Sequence, residues 1–287
     1  MNHKSEHSVE LMCRVLGVNK SGYYYFCKSP VSNRDIKNTN LTLLIKKEHE
    51  KSKEVYGSPR ITASLKQQGI ACSRPRVARL MNKAGIKSKI RKSYKKTTNS
   101  NHLYDKAPNL LNQNFKVNAP SQVWVSDITY IRTKEGWLYL TMIMDLFNRE
   151  IISFHRSKTL MAQDTTIPAL KKAFSKRKPI NLIFHSDKGV QYACDEFREL
   201  LKSYGFEQSM SGKGNCYDNA PSESFFKTLK CELIYLKKGG YSTIKQAGAE
   251  IFEFIECFYN TVRLHSFLGF LSPKNYMKLF MKNKFAA

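Results

Sequence analysis

The sequence predicts an α/β core preceded by a small all-α unit, and three observations carry that prediction. At 287 residues the chain exceeds the roughly 150 of one average domain, which sets a prior near two. Residues 41–85 place apolar side chains at helical spacing between Gly and Pro breaks, whereas from residue 122 the apolar runs become short, β-branched and aromatic. Aliphatic, aromatic and cysteine residues make up 41% of the chain and charged residues 25%, which excludes a disordered or collagen-like molecule. No apolar run approaches the roughly 20 residues of a membrane-spanning helix, and Met1 to Glu10 lacks an apolar signal core. The expected location is cytoplasmic, with no membrane partner.

Forty-eight Lys and Arg against 23 Asp and Glu leave a formal net charge of +25, which points to a polyanionic partner, nucleic acid first. Residues 55–104 hold Arg60, Lys66, Arg74, Arg76, Arg79, Lys83, Lys87, Lys89, Arg91, Lys92, Lys95 and Lys96 and no acid. A solvated basic tail would lack the apolar period that runs through the first half of that segment. The seven cysteines are odd in number and form no C-x-x-C pair, so neither a disulfide framework nor a structural zinc site is expected.

In chain order, residues 1–34 form an N-terminal segment without assignable chemistry, and 35–95 a helical domain. Leu41, Leu44, Ile45 and His49 give a helical stripe that stops before Tyr56-Gly57-Ser58-Pro59. A second helix runs from about Arg60 to Gln68, and Gly69 suits its left-handed end. Ser73-Arg74-Pro75 then reads as an N-cap with proline in the first turn of a third helix, Pro75 to Ala84, closed by Gly85. Two short helices with a tight turn, the second carrying Arg74, Arg76, Arg79 and Lys83, resemble a helix-turn-helix whose recognition helix enters a DNA major groove. Residues 86–120 are basic and then polar, with Pro108 and Pro120 and no sustained period. That stretch is expected to be a linker, its basic and polar part at 96–120.

Residues 121–287 form the α/β core with a C-terminal helical extension. Val123, Val125 and Ile128 to Ile131, then Trp137 to Met144, then Glu150 to Phe154 predict three strands in an antiparallel meander. A helix at about 163–174, a strand Asn181 to His185, a helix near Asp195 to Tyr204 and a strand Glu207 to Met210 follow. A helix opens near Pro221, and a long one from about Ile244 to Val262 starts at a Thr243-x-x-Gln246 capping box.

Phosphodiester chemistry needs hard divalent cations, and those need carboxylates gathered in one place. Asp127 interrupts the apolar strand Trp124-Val125-Ser126-Asp127-Ile128, where an ionised side chain is costly unless paired or ligated. Asp187 ends the strand Leu182 to Ser186, where a parallel α/β sheet places functional loops. Glu223 opens a helix, which the helix dipole alone would explain. Asp145, beside Arg149, reads as a turn or ion-pair residue, and Glu232 as a further plausible acid. Taken together, an acid on the first strand, another ending the fourth and a Glu 36 positions later on a helix match the polynucleotidyl-transferase version of the ribonuclease H-like fold.

The surrounding words are Trp124-x-x-Asp127-x-Thr129-Tyr130, His185-Ser186-Asp187-x-Gly189-x-Gln191-Tyr192 and Asp218-Asn219-Ala220-x-x-Glu223-Ser224-Phe225-Phe226. To these add Tyr56-Gly57-x-x-Arg60-Ile61, Arg76-Val77-Ala78-Arg79-Leu80-Met81 and Tyr259-Asn260-x-x-Arg263-x-His265-Ser266-x-Leu268-Gly269. On these motifs, over almost its whole length, the chain closely resembles the OrfB transposases of the IS-three insertion-sequence family, with a retroviral-integrase-like DDE core. One departure is Ser58-Pro59, where a second Arg often precedes Arg60.

The resemblance implies that Asp127, Asp187 and Glu223 are the catalytic, metal-binding triad, holding two Mg²⁺ ions that Mn²⁺ can replace. It implies in-line cleavage at insertion-sequence ends and transfer of the 3′-hydroxyl into target DNA. Lys230, with Lys227 as a weaker companion, corresponds to the basic residue that contacts the transposon end, against the alternative of an ordinary Glu-to-Lys helix pair. Arg60 joins Arg74, Arg76, Arg79 and Lys83 as DNA contacts of the helical domain. Arg263 and His265 either touch DNA or neutralise a helix C-terminus. His185 orients Asp187 or its strand, and Trp124 packs in the core. The implied partners are double-stranded DNA, an OrfA protein or OrfAB fusion, and further copies of the chain in the DNA complex, in a bacterial cytoplasm at the nucleoid. A binding-only regulator or inactive relic would lack a triad acid or part of the core, and neither is seen. A nuclease that never joins strands would carry the same acids.

Overall fold

Serine and glycine placement sets the helices of the N-terminal unit. The computed structural model describes residues 5–28, 31–90, 107–212 and 216–286, and the chain divides into two units, Met1–Ser88 and Lys89–Ala287. Arg91, Lys92, Lys95 and Lys96 and positions 96–106 of the expected linker lie outside the described residues.

The first unit holds α1 (Val9–Val15), α2 (Lys20–Lys28), α3 (Asn33–Lys51), α4 (Ser58–Gln67) and α5 (Arg74–Lys83). The three helices expected from the sequence are α3, α4 and α5. α3 starts well before the Leu41 stripe because Ser32 caps it, its Oγ accepting the Asp35 N–H at 3.2 Å, while its first two turns are polar and leave no periodic trace. α4 begins at Gly57 with Pro59 in its first turn, and Ser73 caps α5. Gly69 and Gly85, at φ +78° and +67°, take the left-handed conformation that ends each helix cheaply only for glycine. Leu41, Ile45, Ile61, Leu65, Val77, Leu80 and Met81 are buried together where the three helices meet, each worth about 1.5–3 kcal/mol of removal from water.

The second unit is built on a five-stranded sheet, β1 (Val123–Thr133), β2 (Gly136–Asp145), β3 (Ile151–Ser157), β4 (Ile183–Ser186) and β5 (Glu207–Met210), in the order β3-β2-β1-β4-β5. β1, β2 and β3 form the expected antiparallel meander, with Trp124 opposite Asp145 and Arg132 opposite Trp137. β4 and β5 join parallel to β1. β4 pairs with β1 only at Val123, Trp124 and Val125, so the two strands part company at the residue before Asp127.

Around the sheet lie α6 (Thr166–Arg177), α7 (Val190–Ala193), α8 (Asp195–Ser203), α9 (Ala220–Glu232), α10 (Ile244–Phe252) and α11 (Pro273–Ala286). Alternation of side chains along each strand divides the buried residues into two layers. Trp124, Ile143, Ile152 and Phe184 pack with Leu170, Tyr192, Phe197 and Leu201 of α6, α7 and α8. Leu140, Met142 and Met144 are buried on the opposite face, where α9 packs on β1 and α10 on β2.

Two expectations are corrected here. The helix expected over Ile244 to Val262 begins with the Thr243 cap, Gln246 N–H to Thr243 Oγ1 at 3.0 Å, but α10 stops at Phe252 and Glu253–Tyr259 is π-helical. The wider turns bury Phe254, Ile255, Phe258 and Tyr259, more apolar surface than a straight helix presents to one side. They deliver Asn260, whose side chain accepts from the Ile151 N–H at 3.0 Å and donates to the Ile151 carbonyl at 3.1 Å. The second correction concerns the linker. Its 107–120 portion is bound to the core: Met210 N–H donates to the Pro108 carbonyl at 3.2 Å, Leu110 N–H to Ser209 Oγ at 3.0 Å, and Leu111 is buried. A chain that satisfies the outer edge of β5 with its own backbone is part of the fold. Cys13, Cys27, Cys72, Cys194, Cys231 and Cys257 are unpaired, and among the described residues no helix is long and apolar enough to cross a membrane.

Candidate active site

Asp127 and Asp187 lie near the point where β1 and β4 separate, and Asp127 feels the charges of both Asp187 and Glu223. Asp127 lies on β1 two residues past the last β4 pair, its Oδ1 accepting the Ile128 N–H at 2.7 Å. Its carboxyl is held well above the usual carboxylate range, first by burial and then by the negative charge of Asp187; Glu223 adds to the rise, while the Ile128 N–H and the Lys230 ammonium oppose it. Asp127 thus senses both of the other acids of the expected triad and one cation.

Asp187 directly follows β4. Its Oδ1 accepts the Gly189 N–H at 3.0 Å, and a Cβ on residue 189 would come within 3.0 Å of that oxygen and 3.2 Å of Gln191 Oε1. The glycine in the Asp-x-Gly word is there for that close approach. Glu223 sits in the exposed first turn of α9, after Pro221. Two turns on, Lys230 is half-buried; burial lowers its ammonium pKa and the Asp127 charge opposes the fall. Behind the acids the phenol of Tyr192, hydrogen-bonded to Ser126 Oγ at 2.8 Å, is kept protonated by burial and then by the charges of Asp127 and Asp187. Among the described residues, no three His, Cys, Asp or Glu side chains are drawn tightly enough together to ligate one ion.

His185 is buried, and two of its hydrogen bonds settle its tautomer. Nε2 lies 3.0 Å from the Asp218 carbonyl, which can only accept, so Nε2 carries the proton. Nδ1 is then the acceptor for the Ser209 hydroxyl at 2.8 Å, while Ser209 Oγ accepts from Leu110 N–H. Burial pulls the imidazole pKa down to about 4. A neutral ring with both nitrogens engaged ties β4 to β5 and to the turn leading into α9, the elements that carry Asp187 and Glu223. Asp218 completes the tie, its carboxylate accepting from Gly212 N–H at 2.7 Å, Asn109 at 2.9 Å and Gln113 at 3.0 Å. Of this network the sequence reading assigns a role only to His185 and names Asp218 only within a motif; the signal for the rest is the polar Asn109-x-x-x-Gln113 spacing inside the expected linker.

Other predicted residues fall elsewhere. Lys227 is exposed on α9. Arg263 is buried, with Nε and Nη2 on the two carboxylate oxygens of Glu232 at 2.8 and 2.7 Å. That bidentate pair removes Arg263 from the expected DNA contacts and Glu232 from the candidate site acids, because neither group is presented to solvent. Asp145 is a turn residue, as one of its two readings had it: it accepts from Ser121 N–H at 2.8 Å and Phe147 N–H at 3.0 Å. The Arg149 guanidinium instead lies over the Phe267 ring at 4.1 Å and donates to the Phe115 carbonyl.

In the first unit, Arg74, Arg79 and Lys83 are exposed on α5, and Arg60 lies over the Tyr56 ring at 5.6 Å. Arg76 is half-buried, its Nε and Nη2 both directed at Asn38 Oδ1 at 3.1 and 2.9 Å. Arg76 and Arg79 line an open groove with Asn33, Arg34 and Lys37 of α3. Arg34 and Lys37 escaped the sequence reading, although their i, i+3 spacing puts them on one helix face.

Comparison with known proteins covers both units. Family models described as integrase core domains match residues 117–216 and 223–279, and an HTH-like domain matches 35–94. The insertion element IS600 uncharacterized 31 kDa protein of Shigella sonnei is 44% identical over 91% of this chain and 96% of its own length. The transposase InsF for insertion sequence IS3A of Escherichia coli (strain K12) is 38% identical over 96% of this chain and 95% of its own. A solved structure of the HTLV-2 integrase catalytic core domain in complex with magnesium (dimeric form) aligns at 20% identity over 51% of this chain and 91% of that one, with a TM-score of 0.39. With identity at this level running from the helix-turn-helix through both parts of the core, the chain belongs to the IS3 family of insertion-sequence transposases, enzymes with a ribonuclease H-like, polynucleotidyl-transferase core behind an HTH-like DNA-binding domain.

Proposed function

We propose that Asp127, Asp187 and Glu223 hold two Mg²⁺ ions, replaceable by Mn²⁺, and that the site cleaves at the ends of an insertion sequence and joins the exposed 3′-hydroxyl to a target phosphodiester. The observation that carries this reading is the charge at Asp127, where two further acids raise its carboxyl and the Lys230 ammonium opposes them. Three carboxylates offer the hard oxygen donors that Mg²⁺ prefers, and Glu223, on an exposed turn, reaches the pair of aspartates by side-chain rotation. When bound, such ions activate the attacking oxygen and stabilise the leaving one in an in-line displacement.

The chain's own groups do the rest. Lys230, held beside Asp127, meets a phosphate oxygen of the DNA end, with Lys227 on the open face of the same helix. His185 and Asp218 fix the strand of Asp187 against the turn before Glu223. Arg60, Arg74, Arg76, Arg79 and Lys83, joined by Arg34 and Lys37, hold DNA to the first unit through phosphate and groove contacts. In joining, the new bond forms between the 3′-oxygen of the end and the target phosphorus, and the target's own 3′-oxygen leaves. The family reading adds an OrfA partner or OrfAB fusion, and several copies of the chain on double-stranded DNA in a bacterial cytoplasm.

The test is an end-cleavage and strand-transfer assay with pre-cleaved ends and target DNA, comparing the chain with Glu223→Gln. Loss of a liganding carboxylate is expected to cut turnover by about 10³-fold or more, the equivalent of several kcal/mol, with the melting temperature unchanged. Equal turnover removes Glu223 from the mechanism. Hydrolysis without joined product reduces the reading to a nuclease.

A further inference from the structure

The far end of the β1–β2 hairpin carries an aromatic cluster that the chemistry above does not use. Arg132 opposes Trp137 and Tyr130 opposes Tyr139 across the two strands, so all four side chains leave the same face. The Tyr130 and Trp137 rings meet edge to face with centroids 5.2 Å apart, and the Arg132 guanidinium lies 5.9 Å from the Trp137 ring. Two residues before Tyr130 on that face, Ile128 still packs against the core under α6–α8. Beyond it the cover stops, and Trp137 is 44% exposed whereas Trp124 is 0% exposed.

The cluster adjoins the candidate site. Lys230 lies 5.8 Å from the Tyr130 ring and is also the cation that Asp127 senses. Tyr130 is three residues from Asp127, so the two side chains leave opposite faces of β1 about 10 Å apart along the strand; past Val125 β4 no longer pairs with that edge of β1, and a DNA strand passing round it covers the distance in a few nucleotides at about 3.4 Å per step. Glu135, the acid of the intervening turn, has its Oε2 engaged by the Ile244 N–H at 2.8 Å, while Arg132 and Lys230 are the cations beside the rings. An exposed Trp and a half-buried Tyr between two cations, on a strand that leads into a phosphodiester site, suit a nucleobase with its phosphate; an apolar protein partner would not need the cations.

We propose that Tyr130 and Trp137, flanked by Arg132 and Lys230, form a stacking shelf for an unpaired nucleotide of the DNA end. The shelf catches a terminal base that has left its pair and so steers the strand toward Asp127. It rests on the reading of the Asp127 site as the place where DNA is cut, but its test needs no cutting.

Trp137 is its own reporter, because the chain has two tryptophans and the other is sealed in the core. The full chain is titrated, without divalent metal, with a matched duplex and with the same duplex carrying three unpaired positions at its end. Tryptophan emission is expected to fall with the frayed duplex and to hold steady with the matched one, and Trp137→Phe to abolish the response. Trp137→Ala is expected to lose about 5- to 100-fold of the preference for the frayed end, the worth of one stacked base, while its melting curve shows it folded. Equal responses to the two duplexes, no response to either, or a folded Trp137→Ala that keeps the preference would each overturn the shelf. A chain that quenches but never cleaves would keep the shelf and overturn the catalytic reading; one that cleaves without quenching would do the reverse.

Discussion

Helix α9 carries two glutamates in opposite electrical situations. At its open end Glu223 adds its charge to that of Asp187 in the field at Asp127, which the half-buried Lys230 opposes. At its closed end Glu232 is matched one to one by Arg263, with side-chain exposures of 3% and 6% and a contact of 2.7 Å, and the Thr228 hydroxyl lies 3.4 Å from the same guanidinium. A matched pair asks for nothing further and serves to join α9 to the segment after the π-helix. A buried carboxyl held well above its usual range by two neighbouring acids is one that a positive partner, arriving when the protein works, would relieve. The same residue type on the same helix is structural or functional according to whether its charge is balanced within the chain.

The largest expected effect lies at the closed end. Arg263→Ala leaves Glu232 buried without its cation and is expected to cost about 3–5 kcal/mol of stability, read as a lower midpoint in urea. The double variant Arg263→Met, Glu232→Leu removes both charges and should recover most of that loss. If instead Arg263→Ala unfolds at the parent midpoint and only weakens DNA binding, the joint is a DNA contact after all and the contrast along α9 fails.

The open end was far more legible in the sequence than the closed one, for a physical reason. Asp127 announced itself because it breaks an apolar strand, and Asp187 because it follows a buried one; each anomaly is local. Glu223, unremarkable in a first helical turn, was found only through its spacing from the other two. Arg263, in contrast, was read as a basic residue beside His265, because nothing local reveals a partner 31 residues upstream that swallows it. The π-helical stretch was hidden likewise, since the stripe Ala247, Ile251, Phe254, Phe258 fits an ordinary helix, and the need to bring Asn260 onto Ile151 is tertiary. The binding of 107–120 to the core runs partly through backbone groups, which every sequence has, and partly through side-chain partners such as Ser209 and Asp218 that are about a hundred residues away. The helical unit was legible wherever apolar period and caps coincided, and illegible where α3 runs on polar side chains.

Asp145 is an intermediate case and sharpens the contrast. It is fully buried like Glu232, but two backbone N–H groups face its oxygens in place of a cation in contact. Burial raises its carboxyl from 3.8 to about 6, against the pull of the Phe147 and Ser121 N–H groups. A carboxyl whose folded pKa lies above the unfolded value stabilises the fold fully below about pH 4 and loses that contribution as pH rises through 6. The expected loss is at most about 3 kcal/mol at 1.36 kcal/mol per pKa unit, measured as the difference in unfolding free energy between pH 4 and pH 7 relative to Asp145→Asn. The variant should be less stable at pH 4 by about 1–3 kcal/mol for the acceptor it gives up, with that part of the slope gone. An identical slope in both proteins would mean that backbone dipoles balance this acid as fully as Arg263 balances Glu232.

The smallest effect is the one of opposite sign, and it bears most directly on the open end. If Asp127 is unmatched, removing its charge should relieve the chain as it stands. Asp127→Asn keeps an oxygen for the Ile128 N–H and the volume of the side chain, and loses the repulsion from Asp187 and Glu223. The variant should therefore melt higher by a few °C, about what 1 kcal/mol does to a chain of this class, while losing strand transfer. Added Mg²⁺ should raise the melting temperature of the parent and leave the variant nearly unmoved, since an ion that binds only the folded state stabilises it in proportion to its occupancy. A variant that melts lower than the parent, or responds equally to Mg²⁺, would mean that the charge at Asp127 is already balanced within the protein, and the distinction between the two ends of α9 would lose its basis.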